Sequence, residues 1–155
     1  MEVRTERCFI RPFKERDIDD FMVYRNDMDW MKYQGFKGLS KEEYRKELLP
    51  DHSLQDGRQL AIVSNKTDAV IGDIFLKQEE DSVFWIGYTI HPSSARQGYA
   101  YEAVLGVIEA LKSKGATCVK AGVESENAAS IQLLKKLDFH YIGFEEDEEV
   151  FMLSL

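Results

Sequence analysis

The feature that most restricts this chain is a change of hydrophobic period near its middle. Val83 to Ile90 is a short run rich in β-branched and aromatic residues. After the loop His91 to Gln97, apolar side chains recur at Ala100, Ala103, Val104, Val107, Ile108 and Leu111, one face of a 3.6-residue period. Thr117, Val119, Ala121 and Val123 then alternate as a strand does, and Lys114-Gly115 closes the helix between. Strand, helix and strand in that order predict a pair of parallel strands joined by a right-handed crossover. Before it, Gln59 to Ser64 and Val70 to Leu76 are β-rich runs separated by polar turns at Asn65 to Asp68 and Glu79 to Ser82, which predicts an antiparallel meander.

The flanks complete a fold of one domain. Cys8 to Phe13 reads as a first strand, and Glu15 to Tyr24 as an amphipathic helix with Ile18, Phe21 and Met22 on one side. Ser40 and Glu43 have the spacing of a capping box, so a second helix starts there and ends near Pro50. A helix from about Asn127 to Leu137 and strands around Phe139 to Phe144 and Val150 to Leu155 follow. The predicted class is α/β (α+β), a mixed, mostly antiparallel sheet of about seven strands flanked by about four helices. A length of 155 residues without repeat, linker or composition shift predicts a single domain over 1–155.

Charge and composition then remove several functions. Twenty Lys and Arg against 28 Asp and Glu give a net charge of −8, whose field repels nucleic acid and anionic lipid and favours a cationic partner such as an amine. No apolar run approaches a membrane span, and Met1 to Arg7 lacks the apolar core of a secretory signal, so a cytoplasmic protein is expected. Cys8 and Cys118 are too far apart in sequence for a thiol metal motif, and His52, His91 and His140 have no ligand spacing, so no metal is expected. The acidic run Glu145 to Glu149 reads as a solvated hairpin tip.

Chemistry concentrates in His91 to Glu102. A helix opening near Gly98 leaves backbone N–H groups unpaired and gathers partial positive charge, which can hold a phosphate. Gly98 and Ala100 keep side chains away from such a ligand, and Arg96 can add a charge-assisted contact. A diphosphate fits this description, whereas neither glycine-rich dinucleotide nor triphosphate loop is present. A second segment, Val123 to Ser130, places Asn127 at a helix cap and Ser130 one turn later on the same side, so Asn127 reads as a cap or as a ligand residue.

Together these segments resemble the GNAT superfamily of acyl-CoA-dependent N-acyltransferases over essentially the whole chain. Ala95-Arg-Gln-Gly98-Tyr-Ala100 matches the last two defining positions of its Gln/Arg-x-x-Gly-x-Gly/Ala loop, with Ala95 as a departure at the first. Glu126-Asn-Ala-Ala-Ser130 and Leu134 to Phe139 resemble the branch of ribosomal-protein N-terminal acetyltransferases. The resemblance implies acetyl-CoA as cosubstrate, its diphosphate on the amides of Arg96, Gln97, Gly98, Tyr99 and Ala100. It implies a pantetheine arm along the strand ending at Ile90, within a splayed parallel strand pair, touched by Asn127. Ser130 is then the proton donor to the departing thiolate. An oxyanion partner is expected from a backbone N–H near Tyr88 to Ile90, and Tyr88 lines the acceptor cleft. Trp85 stands where the branch often carries Glu, leaving Asp73 and Glu124 as candidate bases. The expected acceptor is a primary amine, a peptide N-terminus or a small molecule, and a homodimer is compatible with the sequence. The rival functions are an acyl-CoA-binding module without catalysis and, further off, a nucleotide-binding regulatory protein. The aromatic stretch Trp30 to Phe36 lines an acceptor pocket or packs in the core.

Overall fold

The computed structural model describes residues 1–155 and contains one eight-stranded sheet in the order β1-β2-β3-β4-β5-β6-β8-β7. The strands are β1 (Val3–Arg4), β2 (Cys8–Pro12), β3 (Arg58–Ser64), β4 (Val70–Glu80), β5 (Val83–Ile90), β6 (Cys118–Val123), β7 (His140–Glu145) and β8 (Glu148–Ser154). Four helices, α1 (Ile18–Arg25), α2 (Lys41–Leu48), α3 (Tyr99–Ser113) and α4 (Ala128–Lys136), flank it. Neighbouring strands run antiparallel except β5 and β6, which are parallel and joined through α3. No helix is long and apolar enough to cross a membrane.

Differences from the sequence expectation have local causes. The eighth strand, β1, pairs only Val3 with Ile10 and Arg4 with Phe9, too short a run for any period to show. β4 extends to Glu80 because its polar end still pairs with Trp85, Phe84 and Val83 of β5. The first helix opens as a 3-10 turn over Glu15–Asp17. There the Asp17 carboxylate, 2% exposed, accepts from the Lys14 amide at 2.7 Å and from both terminal nitrogens of Arg11 at 2.7 and 3.1 Å, tightening that turn. By contrast α2 begins as its sequence dictates: Ser40 Oγ accepts from the Glu43 amide and Glu43 Oε1 accepts from the Ser40 amide.

Each sheet face has its own apolar layer. Ala103, Val104, Val107, Ile108 and Leu111 of α3 pack with Leu134 of α4 against Ile10, Ile62, Ile74 and Ile86. On the opposite face Phe21, Tyr24 and Tyr44 from α1 and α2 pack over Ala61, Val63 and Val70. In the connection between α1 and α2, Met31 is fully buried, whereas Phe36 stacks edge-on against Tyr44 and also borders an open pocket. The acidic hairpin tip is a tight turn with Glu146 and Asp147 both at positive φ.

Candidate active site

Two sets of pairing choices open a cleft in the middle of the sheet. β5 and β6 pair only at Val83 with Cys118, Phe84 with Val119 and Trp85 with Lys120. Beyond Trp85, β5 stays bonded to β4 through Ile90 while β6 stays bonded to β8 through Val123, so the two parallel strands part company. The narrow opening is bordered by Gly87, Tyr88, Gly122, Glu124, Asn127 and Ser130. Main-chain groups on its inner edges are thereby left for a ligand that carries amides of its own.

At the end of β5 the chain passes through a 3-10 turn at Pro92–Ser94, fixed by His91 Nδ1 accepting from the Ser93 amide at 3.1 Å. It then enters α3 through two residues in the left-handed region, Arg96 at φ +61° and Gly98 at φ +81°. The first helical bond runs from the Glu102 amide to the Gly98 carbonyl at 3.0 Å, and no N–H from Arg96 through Tyr101 finds an acceptor within the chain. A row of unpaired donors at a helix start is the arrangement that binds phosphate. Arg96, Gln97 and Gly98 are exposed, and Tyr99 and Ala100 half-buried. The Ile90 carbonyl, by contrast, already accepts from the Trp30 indole N–H at 2.9 Å.

The residues from α4 meet those of β5 across the cleft. Asn127 Oδ1 caps α4 by accepting from the Ser130 amide at 3.2 Å, and its side-chain nitrogen has no partner within the chain. Cap and ligand residue are therefore compatible roles, one for each end of the amide group. Tyr88 and Ser130 hold their hydroxyl oxygens 2.8 Å apart. Burial pushes the Tyr88 phenol up to about 12, partly offset by the Ser130 hydroxyl.

On the α1–α2 side of β5 lies an open pocket of about 470 Å³, bordered among others by Arg25, Phe36, Glu47, His52, Asp56 and Asp73. Gly87 and Tyr88 border both this pocket and the cleft, so the two spaces meet at one point on β5. Asp73, expected as a candidate base, is instead the fully buried centre of a polar cluster. It accepts from the Tyr24 hydroxyl, from Arg25 Nη2 at 2.6 Å and from Gln59 Nε2 at 2.7 Å. Both carboxylate oxygens are thus engaged by donors of the chain itself, which opposes a base role. Burial alone would push Arg25 down, yet the Asp73 field prevails and holds it above its ordinary value, while Tyr24 is pushed well up by burial and by Asp73.

Glu124, the other candidate base, is exposed at the cleft mouth. Its charge helps raise the Glu148 carboxyl, for which burial is the larger cause and Glu146 a further one. Trp85 lies in the paired part of the strands, its indole N–H donating to Glu79 at 3.0 Å and Lys120 set over its ring, so the cleft begins only beyond it. Sequence reasoning missed Tyr24, Arg25 and Gln59 because their shared partner is 14 to 49 residues away.

Comparison with known proteins agrees with this geometry. The family profile of the acetyltransferase (GNAT) domain matches residues 7–140. The chain is 30% identical over 166 residues to the uncharacterized N-acetyltransferase p20 of Bacillus licheniformis, covering 97% of this chain and 93% of that one. A crystal structure of an acetyltransferase (GNAT family) from Bacillus anthracis shares the fold at a TM-score of 0.85 and 19% identity, over 100% of this chain and 98% of that one. The ribosomal-protein α-N-acetyltransferase RimL, solved in complex with coenzyme A, does so at 0.83 and 14% identity, over 100% and 98%.

Proposed function

We propose that this chain, which belongs to the acetyltransferase (GNAT) family and is an acetyl-CoA-dependent acetyltransferase, acetylates a primary amine by direct attack, preferring the α-amine of a peptide N-terminus. Residues 1–155 fold as a single N-acetyltransferase domain in this reading, around one eight-stranded sheet. The observation that carries this reading is the meeting of cleft and pocket at Tyr88: a donor lying along β5 and an amine entering from the pocket converge there. The residues fit coenzyme A because the unpaired amides from Arg96 to Tyr101 suit its diphosphate and the parted strands suit its amide-bearing arm.

The preference for an α-amine follows from protonation. At pH 7 an α-amine is roughly 14% neutral, whereas a lysine amine is roughly 0.04% neutral and needs a base. The carboxylate best placed to act as one, Asp73, is spent on Arg25. Glu47 and Asp56, exposed at the pocket wall, attract the incoming ammonium group. As the new C–N bond forms and the C–S bond breaks, the amine releases its proton to solvent, while Ser130 gives one to the leaving sulfur and recovers one from solvent by way of the Tyr88 hydroxyl.

The test is thiol release from acetyl-CoA across peptides with free N-termini, the same peptides with blocked N-termini and internal lysines, and small diamines. Rates at least tenfold higher for free N-termini support the proposal, and equal rates for blocked peptides overturn the preference. A companion variant probes the donor site. Gly98→Val puts a β-branched residue at φ +81°, with its Cβ 3.4 Å from Arg7 Nη2. Such a residue avoids that backbone region, so the loop must rearrange. Titration calorimetry should show coenzyme A bound roughly tenfold or more weakly, and unchanged affinity would take the loop out of the site.

A further inference from the structure

The loop opening α3 carries one cation of its own, the exposed Arg96, and an alanine at position 95. A second cation reaches it from the other end of the chain. Arg7, in the turn between β1 and β2, lays its guanidinium over the Tyr99 ring at 4.1 Å, donates from Nη1 to the Gln97 carbonyl at 3.0 Å and from Nε to Glu102 Oε1 at 2.6 Å. The Arg7 backbone N–H donates to the other carboxylate oxygen at 2.8 Å, and the Thr5 hydroxyl donates to it as well. Arg7 Nη2 alone has no acceptor within the chain, and it stands 3.4 Å from where a Cβ on Gly98 would be. Arg7 and Gly98 also border an open space of about 520 Å³ beside the unpaired amides.

Glu102 explains why such a cation is required. It lies one turn into α3, where its own charge would repel a diphosphate at the helix start. Burial favours its neutral form, but hydrogen bonds from Thr5 and from the main and side chains of Arg7 hold its carboxyl below the ordinary range. The carboxylate thus stays charged and serves as a brace, fixing a guanidinium fork that keeps one nitrogen free.

We propose that Arg7 is a phosphate-binding residue of the acetyl-donor site: its Nη2 donates to the diphosphate of coenzyme A at the mouth of α3, and Glu102 with Thr5 aims it there. This rests on the acetyl-CoA reading above. A brace that merely ties the β1–β2 turn to α3 would use the same hydrogen bonds, so the experiment must separate the two. Acetyl-pantetheine, a thioester donor without the diphosphate, does so.

Coenzyme A affinity by calorimetry and kcat/KM for acetyl-pantetheine are measured for the unaltered protein, Arg7→Ala and Arg7→Met, the last keeping the apolar packing over Tyr99. Expected are a loss of roughly tenfold to a hundredfold in coenzyme A affinity, the range of a hydrogen bond to a charged group, and a shallower salt dependence. Turnover of acetyl-pantetheine should stay within about twofold. Equal losses with both donors, or coenzyme A binding unchanged in Arg7→Met, would overturn the proposal while leaving acetyl transfer intact. Absence of coenzyme A binding and of turnover in the unaltered protein would overturn the acetyl-CoA reading itself, and this one with it.

Discussion

Tyr88→Phe and Ser130→Ala are each expected to lower kcat by about a hundredfold while leaving coenzyme A affinity within about twofold, the lower range for loss of general acid catalysis. The hydroxyl oxygens are 2.8 Å apart, and Tyr88 also approaches the Ser130 carbonyl at 3.3 Å. With the phenol donating to Ser130 Oγ, the serine proton is free to point into the cleft that both residues border. The phenol, raised to about 12 by burial, keeps its proton across any working pH, so the pair never loses its donor to titration in that range. Two residues acting as one unit are not additive. The double variant should therefore be no more than about threefold slower than the worse single one. Multiplicative losses would mean that the hydroxyls act separately. A raised KM for acetyl-CoA with unchanged kcat in Ser130→Ala would return that residue to packing.

Asp73→Ala is expected to destabilise the fold by about 3–5 kcal/mol, because it leaves Arg25 as an uncompensated charge in the interior. Arg25 and Asp73 have side chains 3% and 1% exposed, and although the guanidinium also donates to the Phe36 carbonyl at 2.9 Å and to Thr89 Oγ1 at 3.3 Å, Asp73 is the only carboxylate it pairs with. In a chain this long such a loss lowers Tm by roughly 10 °C. An Arg25→Met, Asp73→Leu double variant, which removes both charges but leaves the Tyr24 hydroxyl and the Gln59 amide without their acceptor, should recover part of that, on the order of half. Calorimetric scans of the three proteins test it, and a Tm for Asp73→Ala within a degree or two of the unaltered protein would show that the ion pair contributes nothing. Turnover of Asp73→Ala, assayed well below its Tm, should fall far less than that of Tyr88→Phe. A hundredfold fall with loss of the acidic limb of the pH profile would make Asp73 a base after all.

The order of elements and the position of the loop of unpaired amides were legible because their signals are local. Ser40 finds Glu43 three residues on, Asn127 finds Ser130 three residues on, and the α3 face repeats within one helix. Gly98 is meaningful beside its own neighbours, so the row of free amides could be placed without any tertiary contact. The splayed strand pair was legible only through family resemblance, since divergence depends on which outer partners β5 and β6 keep.

By itself the sequence determined a mixed sheet with a turn of unpaired amides after its fourth β run and a polar cap on the helix after the following strand. Only the tertiary structure decided which charges are spent and which are free. Asp73 and Glu124 read alike in sequence, yet one is bound to an arginine 48 residues away and the other stands in solvent. Arg7 and Glu102, 95 residues apart, carry no mark of each other until β1 and β2 fold against α3. The physical reason is that hydrogen-bonding periods and caps act over three or four residues, whereas desolvation and charge pairing depend on what the folded chain brings within about 4 Å.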